Sequence, residues 1–257
     1  MTVAVLLVAG VGSRLRPLTD RCPKCLLSLG RETLLGRALR VLEAAGVTHF
    51  VLSAGYLEGK VREAARGLLT PVTVVSNPDH ARVQNVVSLA RALRAAPPGE
   101  LIKLDGDLVF SEGLARRILQ GKGEARCLVD RQSPLGAEEM KVQAAPDGRI
   151  ARFGKGLDPG ACLGESIGFE RFGAGPRGAL TEALEHALER GQTALYYEEV
   201  YNDLVARGLS LEPVFTDGEP WTEVDTPEDL EGARRLVESL GEGEGPPADG
   251  LRRGRGL

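Results

Sequence analysis

LVAGVGSRLRPLTDRCPKCLLSLG, residues 7–30, is the stretch that decides the fold, and it overlaps an apolar run at residues 1–8. The run is rich in Val and Leu without polar alternation, which is typical of a central parallel strand covered on both faces. Small residues at positions 9–13 then let backbone amides approach an anion. Four cations follow within eleven residues: Arg14, Arg16, Arg21 and Lys24. The stretch therefore predicts a buried strand leading into a loop that handles a polyphosphate.

Two common phosphate-binding patterns are absent from the chain. Gly10 and Gly12 begin the pattern G-x-G-x-x-G, but position 15 is Leu, and G-x-x-x-x-G-K-[ST] does not occur. A bare Gly-x-Gly after a strand is more often an ordinary turn beside a solvated basic face. The glycines alone therefore do not decide the function, and the longer string has to be considered.

The whole string resembles the signature of the nucleoside-triphosphate-dependent nucleotidyltransferases, L-A-A-G-x-G-[ST]-R-[LM]-x-P-L-T followed by P-K-x-L-L. It departs from that signature at Val8, where the family commonly has Ala. The resemblance implies that Arg14 and Lys24 are catalytic and neutralise the reacting phosphates and the leaving pyrophosphate. The nucleotide-binding residues that it implies are Val8, Ala9, Gly10, Gly12, Ser13, Arg14, Lys24, Gln84, Asn85 and Asp107.

Chain length and net charge limit the possible domain organisation and function. A chain of 257 residues can bury one good core, so we predict a single domain over residues 1–240. Residues 241–257 are rich in Gly, Pro and charge, which predicts a disordered tail. The net charge of -4 argues against nonspecific nucleic-acid binding, and no apolar run is long enough to cross a membrane. We expect a cytoplasmic monomer or homodimer.

The cysteines do not indicate a disulfide or metal framework. Four cysteines are too few and too scattered for a disulfide scaffold in a chain of this length. Cys22 and Cys25 have C-x-x-C spacing, but no second pair and no nearby histidine pair completes a zinc site. We therefore expect no metal or redox role for them.

Strand and helix patterns alternate after the signature. Helical spacing at residues 32–45 and 58–69 alternates with strand patterns at 48–53 and 72–75. Such alternation predicts βαβ units, a parallel sheet, and ligands at the carboxyl ends of its strands. With the resemblance, this gives an α/β fold: one Rossmann-like nucleotidyltransferase domain with a mixed, mostly parallel central sheet flanked by helices.

A polar segment precedes the next amphipathic helix, which ends near Arg94. In the family, the polar pair before this helix lies near the base, so the resemblance makes Gln84 and Asn85 candidates for reading a pyrimidine edge. Helix capping by Asn85 or Ser88 explains either residue equally well. Both interpretations stay open at this point.

A strand pattern at residues 101–104 ends in Asp105-Gly106-Asp107. Neighbouring carboxylates repel unless they are solvated or bridged by a cation, and Mg²⁺ suits oxygen-rich sites that phosphates complete. An Asp-Gly turn would need no metal. In the family, the metal-binding acid is the one after the glycine, so the resemblance implies that Asp107, rather than Asp105, is catalytic and binds Mg²⁺.

A second acid lies near the end of the chain. Thr226, Pro227 and Asp229 form a good helix start, with Thr226 as N-cap and Asp229 as the acidic third residue. Capping does not explain Asp225, which precedes the cap. Asp225 corresponds to the family's second metal-binding acid, so the resemblance implies that it too is catalytic and binds the metal.

Residues 125–172 change in character to short strands, with a hairpin turn at 146–148. They predict a small antiparallel portion that covers the substrate. The strings EMKV, GESIGF, YYE and WTEVDTPEDL, with a lysine between the first two, look like the cytidylyltransferase branch that activates phosphocholine or similar phosphorylated amino alcohols.

The acceptor site is predicted from this later part of the chain. Tyr197 and Trp221 flank acidic residues, and aromatic rings beside carboxylates suit an ammonium group, with Glu198 and Glu223 as counter-charges. Lys141 and Lys155 are candidates for orienting the acceptor phosphate, although a solvated surface role explains them nearly as well. The predicted substrate-binding residues are Lys141, Lys155, Glu165, Tyr197, Glu198, Trp221 and Glu223.

The resemblance thus implies a Mg²⁺-dependent cytidylyltransferase. It would transfer CMP from CTP to a phosphorylated amino alcohol or phosphonate and release pyrophosphate. The acceptor oxygen is already ionised near neutral pH, so no general base is needed. Alternatives are a sugar-1-phosphate, inositol phosphate or 2-aminoethylphosphonate acceptor, or a nucleotide-sensing subunit without turnover.

Overall fold

The computed structural model of the chain describes residues 1–241. The predicted disordered tail, apart from residue 241, lies outside the described residues. The eleven strands of the described part are β1 (Thr2–Val8), β2 (His49–Ala54), β3 (Val72–Ser76), β4 (Glu100–Asp105), β5 (Leu108–Phe110), β6 (Ala125–Asp130), β7 (Lys141–Ala144), β8 (Ile150–Gly154), β9 (Gly164–Phe172), β10 (Glu212–Phe215) and β11 (Trp221–Glu223). Its seven α-helices are α1 (Leu34–Ala44), α2 (Glu58–Ala65), α3 (Asn85–Ala95), α4 (Glu112–Gln120), α5 (Ala174–Glu189), α6 (Tyr197–Ala206) and α7 (Pro227–Ser239).

A nine-stranded sheet crosses the molecule in the order β10-β6-β9-β4-β1-β2-β3, with the hairpin β7–β8 attached to β9. Pairing is parallel between β1, β2, β3 and β4, while β9 runs antiparallel between β4 and β6. A separate two-stranded sheet joins β11 to β5. The predicted α/β fold with a mixed, mostly parallel sheet is confirmed.

Two local predictions needed correction. Residues 125–130, the first part of the predicted antiparallel cover, do not belong to it, because they form β6, which lies within the central sheet beside β9 and β10. The predicted helix over 58–69 ends at Ala65, because Arg66 is extended and Gly67 has a φ of +80°. The hairpin formed by β7 and β8, in contrast, is antiparallel as predicted.

The central strand β1 explains why the core lies on both faces of the sheet. Val3 and Val5 pack into a cluster with residues of α3, α5 and α6. Ala4, Leu6 and Val8 pack on the opposite face with residues of α1, α2 and α4. A strand buried on both sides has no reason to alternate with polar residues, which accounts for the continuous apolar run.

A third apolar cluster attaches α7 to the signature loop. Leu15, Leu27 and Leu29 of the loop pack with Val224, and with Leu230 of α7. This packing brings the end of the described chain over its beginning. Among residues 1–241, no helix has the length and apolar character needed to span a bilayer.

Candidate active site

The signature loop turns back on itself after β1. Gly12 has a φ of +64°, and a Cβ there would lie 3.1 Å from Cβ of Lys24 and 3.2 Å from Cγ2 of Thr19. The hydroxyl of Thr19 donates to the Gly12 carbonyl over 2.8 Å. Only glycine combines this left-handed backbone with so close an approach. The turn therefore sets Lys24 directly beside the start of the loop.

Lys24 and Arg14 meet two carboxylates from distant parts of the chain. Lys24 Nζ lies 2.8 Å from Oδ2 of Asp107 and 2.6 Å from Oδ1 of Asp225, and Arg14 lies 2.6 Å from Oδ2 of Asp225. The Val224 amide donates to the Asp107 carbonyl, which extends the pairing of β11 with β5. The four predicted catalytic residues therefore lie at one place.

Glu223 joins the two aspartates. Ligand oxygens of Asp107, Glu223 and Asp225 lie within 4.8 Å of one another, in the only group of this kind in the described part of the chain. Oδ1 of Asp107 is buried and has no hydrogen-bond partner. Three carboxylates and an unpartnered buried oxygen are the donor set that a hard cation such as Mg²⁺ prefers. These residues fit a divalent cation, and Glu223 is an addition to the predicted pair.

The charges in this cluster influence one another. Partial burial of the carboxyl group, with Asp107 and Asp225 beside it, raises the pKa of Glu223 to about 8. Burial opposes ionisation of Asp225, but the nearby Lys24 and Arg14 lower its pKa overall. Burial likewise disfavours charged Lys24, yet Asp107 and Asp225 raise its pKa. Lys24 therefore stays protonated and holds the aspartates together when Glu223 is neutral.

Two cavities of about 440 Å³ each adjoin this cluster. One cavity lies between the signature loop and the start of α3, and we call it the donor cavity after the predicted nucleotide donor. The other cavity lies between β9, the segment 138–140 and the start of α6, and we call it the acceptor cavity after the predicted acceptor. The residues that line both are Arg14, Asn85, Asp105, Asp107, Glu223 and Asp225. The acid cluster, formed by Asp107, Glu223 and Asp225, therefore lies where the two cavities meet, and we call this place the junction.

The structure gathers the predicted nucleotide residues around the donor cavity. All of them line it: Val8, Ala9, Gly10, Gly12, Ser13, Arg14, Lys24, Gln84, Asn85 and Asp107. Their binding of a nucleotide stays a prediction. Sequence reasoning did not assign Asn77, whose side-chain amide donates to Ser88 over 2.8 Å and whose Oδ1 has no partner. Asn77 and Ser88 also line this cavity.

Helix capping does not explain Asn85 or Ser88. The N-cap position of α3 is Gln84, which makes no side-chain capping bond. Oδ1 of Asn85 instead accepts from the Tyr197 amide over 2.9 Å, so it ties the start of α3 to the start of α6. The side chain of Asn85 therefore lies where the two cavities meet.

The acceptor cavity contains five of the seven predicted substrate-binding residues: Lys155, Glu165, Tyr197, Glu198 and Glu223. Lys141 does not line it, because its ammonium is buried and donates to the backbone carbonyls of Lys155 and Glu139. Trp221 does not line it either, since it pairs with Phe110 and packs against the apolar core. Direct contact of these two with the acceptor is therefore not supported.

The predicted aromatic cage is not formed. The ring of Tyr197 is buried, and its face is covered by Nζ of Lys103, 3.5 Å from the ring centroid. Its hydroxyl donates to Oδ2 of Asp105 over 2.6 Å. A ring already covered by an internal ammonium cannot offer that face to a ligand.

A buried charge network lies beneath the acceptor cavity and was missed in the sequence. Lys103 is fully buried and lies 3.0 Å from Asp105 and 3.2 Å from Glu170. Gly168, with a φ of +75°, allows the approach, because a Cβ there would collide with the Asp105 carboxylate. The available signal was a lysine inside the apolar strand LIKL, which predicts a buried ion pair.

The chain matches a known protein family over nearly the whole of its described part. Residues 4–242 match a protein family described as the MobA-like NTP transferase domain. A bifunctional IPC transferase and DIPP synthase from Aquifex aeolicus is 30% identical over 236 residues, which cover 91% of this chain and 51% of that protein. The chain thus spans about half the length of that relative.

Two further proteins are similar over most of their length. A 2-aminoethylphosphonate cytidylyltransferase from Lancefieldella rimae is 26% identical over 215 residues, covering 83% of this chain and 85% of that protein. The inositol-1-phosphate CTP transferase from T. maritima superposes with a TM-score of 0.79 at 20% identity, covering 96% of this chain and 98% of that one. The second likeness shows a shared fold.

Proposed function

The chain belongs to the MobA-like NTP transferase family, and on this basis we propose that it is a cytidylyltransferase. It transfers CMP from CTP to a small phosphorylated amino alcohol or an aminophosphonate, and it releases pyrophosphate. The 2-aminoethylphosphonate cytidylyltransferase among its relatives supports both the base and this class of acceptor.

One observation carries the proposal: the donor and acceptor cavities meet at Arg14 and the acid cluster, with Lys24 on the donor side. A transfer between two bound molecules needs two spaces that open onto the same reacting atom. It also needs positive charge where a polyphosphate leaves. Lys24 lines only the donor cavity, while Arg14, Asp107 and Asp225 line its junction with the acceptor cavity. A protein that only senses a nucleotide has no need of the second space.

Catalysis would come from alignment and charge neutralisation. The phosphate or phosphonate oxygen of the acceptor is ionised near neutral pH, so it attacks the α-phosphorus without a general base. Arg14 and Lys24 bind the phosphates and offset the charge that develops on pyrophosphate. Mg²⁺ held by Asp107 and Asp225, with Glu223 beside them, would supply Lewis acidity at the α-phosphate. Lys155, at the acceptor cavity, orients the acceptor phosphate.

An inositol phosphate or sugar-1-phosphate acceptor is the second candidate. The T. maritima protein named above is an inositol-1-phosphate CTP transferase, and its fold is shared. In that case the same junction would perform the same transfer, and only the contacts in the acceptor cavity would differ.

The proposal is tested by measuring pyrophosphate release with Mg²⁺. Each of the four nucleoside triphosphates is paired with phosphocholine, phosphoethanolamine, 2-aminoethylphosphonate, inositol phosphate and glucose-1-phosphate. We expect release with CTP and an amine-bearing acceptor. Release only with inositol phosphate or glucose-1-phosphate would show that the acceptor belongs to the second candidate class. CTP binding without release in any pair would contradict the proposed enzymatic activity.

A further inference from the structure

The acceptor cavity is lined by more acidic than basic side chains. Among the described residues that line it, the two cations lie beside other acids: Lys155 lies 3.1 Å from Glu138, and Arg14 lies 2.6 Å from Asp225. Both are assigned to phosphate groups in the proposed mechanism. The carboxylates of Glu165 and Glu198 line the same cavity and have no cation of their own within ion-pair distance in the described part of the chain. The cavity is therefore suited to a ligand that brings a positive charge.

Glu198 places a buried carboxyl group with an unpartnered oxygen at the acceptor cavity. The residue is only 6% exposed, and Oε2 has no hydrogen-bond partner. The nearby ammonium of Lys103 forms its ion pairs with Asp105 and Glu170 instead. Lys103 thus lies near the carboxyl groups of Asp105, Glu170 and Glu198 but forms ion pairs with only the first two. Burial of a carboxyl group without a partner costs free energy of folding.

The aromatic rings of the cavity determine which kind of cation fits. Two aromatic residues line it within the described chain, and a lysine ammonium faces each ring: Lys103 covers Tyr197 at 3.5 Å, and Lys155 lies 5.5 Å from the centroid of Tyr196. A quaternary ammonium has no N–H group and is bound by aromatic faces. A primary ammonium has three donors and is bound by carboxylates.

We propose that Glu198, together with Glu165 of β9, binds the primary ammonium group of the acceptor. The acceptor is then an aminoalkylphosphonate or the phosphate monoester of a primary amino alcohol, and phosphocholine is a poor substrate. This inference rests on the proposed function and narrows it to one class of acceptor.

The protonation of the two carboxyl groups agrees with this geometry. Burial and the nearby Asp105 raise the pKa of Glu198 to about 8, against the opposing effect of Lys103. Burial, with Glu139 and Asp130 nearby, raises the pKa of Glu165 to about 7. An incoming ammonium would favour the ionised forms, so acceptor binding would release protons.

The first test uses the complete protein with CTP and Mg²⁺ and varies only the amine. The acceptors are phosphoethanolamine, its N-methyl and N,N-dimethyl derivatives, and phosphocholine. Because each methyl group removes one donor, kcat/KM should fall along the series, by roughly tenfold or more in total. A flat series, or a preference for phosphocholine, would overturn the proposal.

The second test compares variants of equal shape. Glu198→Gln should raise the KM for 2-aminoethylphosphonate roughly tenfold or more and leave the KM for 2-hydroxyethylphosphonate nearly unchanged. It should also change the KM for CTP by less than about twofold. The matched control is Glu182→Gln, an exposed residue of α5 outside both cavities, which should change none of these values. Equal losses with both phosphonates would count against an ammonium contact.

Calorimetry separates this inference from the proposed function. Titration of 2-aminoethylphosphonate and 2-hydroxyethylphosphonate into the protein with Mg²⁺ and a non-hydrolysable CTP analogue reads binding without turnover. Tighter binding of the amine, lost in Glu198→Gln, supports the ammonium site even if no acceptor releases pyrophosphate. Equal binding of the two overturns it, whatever the turnover assay gives.

Discussion

Lys24 holds the two aspartates of the junction because it is the one cation within hydrogen-bond distance of both in the described part of the chain. Asp107 contributes one oxygen to this ammonium and keeps another, Oδ1, buried without a partner. In the proposed mechanism, Oδ1 would bind the metal ion while Oδ2 forms the ion pair with Lys24. This division makes Asp107 the most informative single residue to change.

Replacing Asp107 by Asn keeps the shape of the side chain but removes its charge. We expect kcat to fall by about 10²–10³-fold, the range found when one electrostatic contact to a transition state is lost. CTP binding, measured by calorimetry, should change far less, because Lys24 and Arg14 remain. A loss of binding as large as the loss of turnover would contradict a role in the chemical step.

Glu198→Gln should also change how stability depends on pH. A folded-state pKa of about 8 against an ordinary value of 4.5 means that the native state holds a proton which the unfolded chain has lost. The wild-type free energy of unfolding should therefore decline between about pH 4.5 and 8, by a few kcal/mol at most, and the Gln variant should decline less. Denaturant unfolding at several pH values measures this. Parallel curves for the two proteins would show that Glu198 ionises normally.

At the scale of elements, the start of α7 fixes the backbone of Asp225. Thr226 caps the helix by accepting from the Asp229 amide, and Oδ2 of Asp229 accepts from the amides of Asp225 and Thr226. This capping box confirms the predicted helix start. It also places Asp225, a candidate catalytic residue, directly before the N-cap of α7.

Two threonine caps offer a matched pair of variants. Thr226→Ala and Thr33→Ala each remove an N-cap, from α7 and α1, so each should cost about 1 kcal/mol of stability. Only Thr226→Ala should also lower kcat, because only that cap adjoins Asp225. Unfolding curves and pyrophosphate release give the two readouts. Similar kcat values for the two variants would contradict a positioning role of α7.

Sequence patterns predicted those features that depend on neighbours along the chain. The cap at Thr226, the hairpin of β7 and β8 and the strand β1 are local, so periodicity and turn residues were sufficient. The direction of a side chain across the sheet is not local. The Lys141 side chain donates to a backbone carbonyl, and the Trp221 side chain packs against the core. Lys103 contacts Tyr197 only because β4, β9 and α6 pack together.

At the scale of the whole molecule, the acid cluster comes from the turn after β4, from β11 and from the residue before the N-cap of α7. The positions of these segments are set by the sheet and by the apolar cluster beneath the signature loop. Lys24 and Arg14 already neutralise part of the charge of the cluster. The chain should therefore fold without a metal ion.

Chelation tests this expectation. With EDTA in excess, pyrophosphate release should stop and should return on addition of Mg²⁺, while the thermal midpoint of unfolding should change by less than about 3 °C. Activity is followed by release of pyrophosphate and folding by circular dichroism. Persistent turnover in EDTA would rule out the metal, and a collapse of the midpoint would show that the metal is structural.

Trp221 gives the molecule an optical property. It is the single tryptophan of the sequence, it lies in the two-stranded sheet with Phe110, and it precedes Glu223 by two residues on the same strand. All tryptophan emission therefore originates beside the acid cluster. Trp221 lines neither cavity, so intrinsic fluorescence should report occupancy of the junction through the strand that it shares with Glu223, without any attached dye.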